Sequence, residues 1–190
     1  MSILRGSLAP VGVALISAVV GFLLYQWFET GGAADSVVQE TESSSAVAVI
    51  GAPLPHVALP DPAGRPRTLL EWQGRPMLIN FWATWCSPCR KEVPELIELQ
   101  REFGDRGLVV VGIALDEPER IRRFIRDFGI DYPVLVESGH GTRMNAAFGN
   151  RLGVLPYTVY VDAAGVIREV HKGALTRDQG RESIRRLFES

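Results

Sequence analysis

Cysteine is almost missing from this sequence: among 190 residues only Cys86 and Cys89 occur. They can close one short loop at most, which is too little to staple a fold, so a hydrophobic core has to hold the chain together. Histidine is scarce and scattered, at His56, His140 and His171. A structural zinc site takes four ligands and this set does not supply them, so no metal site is expected. A dominant charge is lacking as well. Lys and Arg total 20 against 22 Asp and Glu, a net charge of −2, which points to neither nucleic acid nor an acidic substrate. There is no flavin or nicotinamide motif and no internal repeat, so no cofactor is expected. What remains, at 46% hydrophobic and 22% charged residues, is the composition of a globular domain with appendages.

Charge is also absent from Leu8 to Phe28 (LAPVGVALISAVVGFLLYQWF). As a helix this stretch spans about 31 Å, enough for a bilayer core. Tyr25 and Trp27 fall near its end, where amphipathic rings favour the interface. Residues 1–28 therefore read as a membrane anchor, with one transmembrane helix over 8–28. The competing reading is a cleaved signal peptide, with Gly31-Gly32-Ala33-Ala34 as its cleavage site, but a signal core is usually about 7–15 residues, shorter than this run. Arg5 precedes the span, and only acids (Glu29, Asp35, Glu40, Glu42) follow within residues 29–50. Positive-inside logic leaves the start in the cytoplasm and everything after residue 28 outside it. Residues 29–50 are small, polar and acidic and read as a flexible linker.

The folded domain is expected over 51–190. Pro53–Leu59 and Arg67–Leu69 flank the turn signal Asp61-Pro62-Ala63-Gly64 and predict a hairpin. Leu69–Gln73 predicts a short helical turn ended by Gly74. The apolar runs Met77–Trp82 and Leu108–Leu115 read as buried strands, the second typical of a parallel sheet. Helical spacing predicts a helix from Pro88 to Phe103, with Val93, Leu96, Ile97, Leu99 and Phe103 inward. A second helix runs from Asp116-Glu117-Pro118 to Phe128; its arginines, 120, 122, 123 and 126, read as a solvated face. Pro133–Val136 is a short strand and residues 140–149 a loose helix. Tyr157–Asp162 and Val166–Val170 form a strand–turn–strand pair, and Thr176 caps a last helix through Phe188. The order predicts an α/β fold, a mixed central sheet flanked by helices on both faces with an N-terminal hairpin extension.

The two cysteines stand where an apolar strand runs into a helix. A helix N-terminus carries positive partial charge and free N–H groups, and it favours the thiolate, the reactive form. Cys86 at the helix mouth reads as the attacking thiol, with Cys89 one turn in as the resolving thiol. Glu92 follows three residues later on the same helix side. If buried, its carboxyl is pushed up toward the range useful for acid–base work; the alternative is an exposed first-turn glutamate. Trp85 is expected as a partly exposed lid on Cys86, and Trp82 as packing. A static disulfide in a membrane-tethered, non-catalytic binding module is the rival reading from another class.

The run Asn80-Phe81-Trp82-Ala83-Thr84-Trp85-Cys86-Ser87-Pro88-Cys89, then Glu92, Pro94 and Leu155-Pro156, resembles the thioredoxin superfamily, and within it the membrane-anchored TlpA/ResA-like extracytoplasmic thiol:disulfide oxidoreductases. The resemblance covers residues 51–190. Two other groups with this fold are excluded by spacing. Copper chaperones use Cys-x3-Cys. Peroxiredoxins place a proline and a Thr or Ser where this chain has Ile79 and Ala83. The resemblance implies a thioredoxin-like fold, catalytic Cys86 and Cys89, and proton transfer aided by Glu92. It implies a kinking Pro94 and a cis-proline at Pro156 beside the cysteines. The backbone of Leu155 would pair with an incoming peptide, and Tyr157 would alter the cleft edge, so Trp85, Leu155, Pro156 and Tyr157 are the expected substrate-binding residues. Asn80 stands where thioredoxins carry a buried aspartate, which gives Glu92 more to do. The implied partners are proteins with disulfides or cysteine pairs and a membrane thiol-transfer electron donor. The implied place is the outer, periplasmic side of a bacterial cytoplasmic membrane. The favoured direction is reduction, including reductants that serve cytochrome c maturation.

Overall fold

The computed structural model describes residues 49–139 and 141–189. In chain order its elements are β1 (Ala58–Pro60), β2 (Pro66–Thr68), a 3-10 turn (Leu69–Trp72), β3 (Met77–Trp82), α1 (Ser87–Phe103), a second 3-10 turn (Gly104–Arg106), β4 (Val109–Ala114), α2 (Pro118–Phe128), β5 (Val134–Val136), α3 (Thr142–Ala147), β6 (Tyr157–Val161), β7 (Ile167–Lys172) and α4 (Arg177–Phe188). No helix among them is long and apolar enough to cross a membrane. The expected span over 8–28, and the linker up to residue 48, lie outside the described residues.

The most apolar runs take the centre of the sheet. β3 and β4 are buried at every position, which a strand tolerates only when both faces are covered. The five-stranded order is β5-β4-β3-β6-β7. β3 runs parallel to β4, and β4 to β5, while β3–β6 and β6–β7 are antiparallel. The sheet is therefore mixed, as the element order predicts. One face carries α1, α2 and α4 through Val93, Leu96, Ile97, Leu99, Phe103, Ile121, Phe124, Ile184 and Leu187. The other is closed by less helix: short α3, the 3-10 turn and the hairpin region supply Met144, Leu69, Trp72 and Val57. Val49 is already buried there, just ahead of the expected domain start.

The hairpin is smaller than expected. Only Ala58–Pro60 pairs with Pro66–Thr68. Upstream, Pro53 bridges Val166, and the Leu54 N–H donates to the Gly165 carbonyl at 2.7 Å. Pro53 and Pro55 lack the N–H groups that would continue the ladder with β2.

Gly112 on β4 is a close-approach position. It lies opposite Asn80 in the β3–β4 register, and a Cβ there would sit 2.7 Å from Trp82 Nε1 and 3.3 Å from Tyr132. Both neighbours are stiff rings in a closed core, so Gly112→Ala overpacks it. A loss of about 1–3 kcal/mol is expected, read as a lower midpoint in chemical denaturation; an unchanged midpoint would show that the indole can yield.

Candidate active site

β3 delivers the chain to the front edge of the sheet, and four residues separate the end of the strand from the start of α1. Cys86 is the N-cap of α1, in extended conformation, and its Sγ accepts from the Cys89 N–H at 3.3 Å. One otherwise unpaired N–H of the first turn is thus turned onto sulfur. Pro88 fits the first turn because a proline there gives up an N–H that has no helical partner. The helix runs on through Pro94, whose missing N–H leaves the Arg90 carbonyl without its helical donor. Cys86 and Cys89 are joined as a disulfide, with Cα atoms 5.3 Å apart. Cys86 is 5% exposed and Cys89 is fully buried, so the outer thiol is the one a second molecule can reach.

The approach loop is tied down from two sides. The Thr84 hydroxyl donates to the Asp116 carboxylate. The Arg90 guanidinium donates to the Thr84 carbonyl at 3.3 Å and lies over the rings of Phe124 and Phe128. Trp85, beside Cys86, is 67% exposed. A cleft of about 280 Å³ lies past the Asp116 anchor, lined by Leu115, Asp116, Glu117, Glu137, Ser138 and Gly139, and it includes neither cysteine.

Glu92 is buried at 1% exposure, one turn after Cys89. It is not the exposed first-turn acid of the alternative reading. Its Oε2 accepts from Asn80 Nδ2 at 3.0 Å and its Oε1 from the Leu175 N–H at 2.9 Å. Burial pushes its carboxyl up to about 7, against the pull of the Leu175 and Asn80 donors. At neutral pH it can therefore give or take a proton. Asn80 Nδ2 also donates to Thr158 Oγ1 at 2.9 Å. Asn80 was visible as a departure in the sequence, but its link to Glu92 was not. The Leu175 N–H carries no side-chain signal at all.

The Leu155–Pro156 peptide bond is cis. Leu155 is part-exposed and packs against the core that holds both cysteines. The loop before it is pinned by Asn150, whose Oδ1 accepts from the Val154 N–H at 2.9 Å and whose Nδ2 donates to the Val154 carbonyl at 2.8 Å. Within that loop Leu152 is 64% exposed, a residue the sequence reading passed over. Tyr157 corrects an expectation. It is fully buried, its hydroxyl donates to the Phe148 carbonyl at 2.9 Å, and its ring meets Phe81 edge-on. Alternation along β6 turns it to the face opposite α1, so its side chain forms no cleft edge. His56 is exposed and His171 part-exposed. His140 lies outside the described residues.

Comparison with known proteins agrees with this geometry. The model of the AhpC/TSA family matches residues 50–170. The thiol-disulfide oxidoreductase ResA of Geobacillus thermodenitrificans (strain NG80-2) is 28% identical over 171 residues, 90% of this chain and 88% of its own. The thioredoxin-like protein YneN of Bacillus subtilis (strain 168) is 28% identical over 177 residues, 91% of this chain and 94% of its own. Among solved structures, a thioredoxin-family thiol:disulfide interchange protein from Chlorobium tepidum TLS is similar with a TM-score of 0.63 at 27% identity, covering 71% of this chain and 94% of that one.

Proposed function

Because the chain belongs to the AhpC/TSA family, and is a ResA/TlpA-like thiol-disulfide oxidoreductase of the thioredoxin superfamily, we propose that it reduces disulfides of protein substrates through Cys86 and Cys89. The observation that carries this reading is the pair itself: two bonded sulfurs at the mouth of α1, one at the surface and one beneath it, with a buried acid one turn on. The rival reading of a non-catalytic module does not fit this family.

In the reduced protein the Cys86 thiolate attacks one sulfur of the substrate disulfide. The substrate S–S bond breaks, and its other sulfur leaves as a thiolate that takes a proton. The Glu92 carboxylate takes the proton of the Cys89 thiol. The Cys89 thiolate then attacks Cys86 Sγ, which forms the Cys86–Cys89 disulfide and releases the second substrate sulfur as a thiolate, to which protonated Glu92 can return its proton. Two electrons pass to the substrate, and a membrane thiol-transfer protein restores the dithiol. Trp85, Leu155 and Pro156 hold the substrate segment, and the backbone of Leu155 pairs with it. The domain works on the outer side of the cytoplasmic membrane, held by the 8–28 helix and the 29–50 linker, and cytochrome c maturation is the process it serves. The resemblance of the active-site run to reductants supports the direction, and Arg5 with the acids after residue 28 supports the side.

The test is alkylation of the reduced full chain as a function of pH. Cys86 should react as a thiolate well below about pH 8.5, where an ordinary thiol ionises. A profile centred on that ordinary value overturns the enzymatic assignment of Cys86. In intact cells a membrane-impermeant reagent should reach the same residue; labelling only after lysis would place the domain inside.

A further inference from the structure

Asn80 sits at full burial between two groups that differ in what they offer. Through Nδ2 it meets Glu92 Oε2 at 3.0 Å and Thr158 Oγ1 at 2.9 Å. A carboxylate only accepts, while a carboxylic acid also donates. A hydroxyl does either by rotating its proton. The other end of the amide, Oδ1, is buried with no hydrogen-bond partner among the described residues. All of Asn80's side-chain bonding therefore passes through one end, and nothing at the far end pins its orientation. The amide N and O are nearly the same size, so inverting the group exchanges donor for acceptor with the heavy atoms in place.

We propose that Asn80 is the positioning residue of Glu92 in both of its protonation states, its amide inverting as the proton comes and goes. With Glu92 ionised, Nδ2 donates to the carboxylate and to Thr158, as in this structure. With Glu92 protonated, Oδ1 accepts from the acid O–H and from the Thr158 hydroxyl, which has turned from acceptor to donor. Two bonds exist in either state, so the carboxyl keeps one place while its proton moves. An aspartate at residue 80 could not do this, because when ionised it has no donor for a second carboxylate. The Leu175 N–H fits both states too, since Oε1 accepts from it whether or not Oε2 is protonated.

The ionisable groups packed around Glu92 are Cys89 on its own helix, Tyr132 from the segment before β5 and Tyr160 from β6. Burial raises both tyrosines well above their ordinary range, so they stay protonated through the titration of the acid. In the disulfide form neither cysteine titrates. Glu92 is then the one group of this set that changes charge near neutral pH.

The inference deepens the reading of Glu92 as the proton acceptor, and its test reads the amide directly. The full chain in its disulfide form is labelled with 13C at the glutamate carboxyls and 15N at the asparagine side chains, and titrated by NMR. Nuclear Overhauser contacts from the Asn80 side-chain N–H protons to Thr158 should be strong above the Glu92 midpoint and fall several-fold below it, with the same midpoint. In Glu92→Gln that response should vanish. Contacts that stay constant across the Glu92 titration overturn the proposal, and so does a response that survives in Glu92→Gln. Failure of Glu92 as the proton acceptor would show elsewhere, as a thiol alkylation profile unchanged by Glu92→Gln.

Discussion

Replacing Cys86 with serine is expected to slow disulfide reduction by at least about 10³-fold, because the hydroxyl that remains is a far poorer nucleophile toward sulfur. The structure gives the loss no route around it. Cys89 is fully buried, Cys86 reaches the surface, and no other cysteine exists in the chain. Cys89→Ser should fail differently. Its Cys86 still attacks, but the intramolecular step is gone, so mixed disulfides with substrate accumulate in place of turnover. Stopped turnover in Cys86→Ser, with trapped adducts in Cys89→Ser, establishes the order of the two thiols. Adducts formed by Cys86→Ser through Cys89 would reverse it, and a failure to trap any protein from cells would count against protein substrates.

A second large effect is expected in stability against pH. The Glu92 carboxyl ionises near 4.5 in an unfolded chain and is pushed by burial to about 7 in the fold. Between those values the folded state holds the proton more tightly than the unfolded state. The contribution of Glu92 is therefore fully present below about pH 4.5 and is lost as the pH rises through about 7, a swing of about 3 kcal/mol. Glu92→Gln removes the swing, so it should be more stable than the parent above pH 7, by up to that amount, with the advantage shrinking toward acid. The disulfide form is the right material, because its cysteines do not titrate. The difference between the two proteins is the quantity to follow, since other carboxyls act in the opposite sense. Asp61 and Asp162 are drawn below the ordinary range, despite burial, by hydrogen bonds that include those from Arg65 and Val166. Parallel curves for parent and Glu92→Gln would mean that the acid is as well solvated in the fold as outside it. In the reduced protein the same substitution should also shift the thiol profile.

Much of this was legible in the chain. The apolar runs announced the central strands, because a strand covered on both faces cannot carry polar residues freely. The cysteine spacing announced the helix mouth, because N-cap geometry involves only residues within one turn. Face assignment was harder. Every residue of β6 is buried, so no polar alternation marks which side Tyr157 takes, and its place beside Pro156 suggested the cleft. The register with β3, which sets Tyr157 against Phe81, turns it away.

The local sequence thus sufficed for the cysteine pair at a helix mouth and for the strand–helix frame, which depend on neighbours a few residues apart. The environment of Glu92 required the fold. Its donors come from Asn80, 12 residues before it, and from Leu175, 83 residues after it, and the burial that lifts its carboxyl comes from a sheet and helices packed around it. Residue type could suggest that Glu92 handles a proton. Only the closed core could bring that acid to about 7 and place against it an amide able to face either of its states.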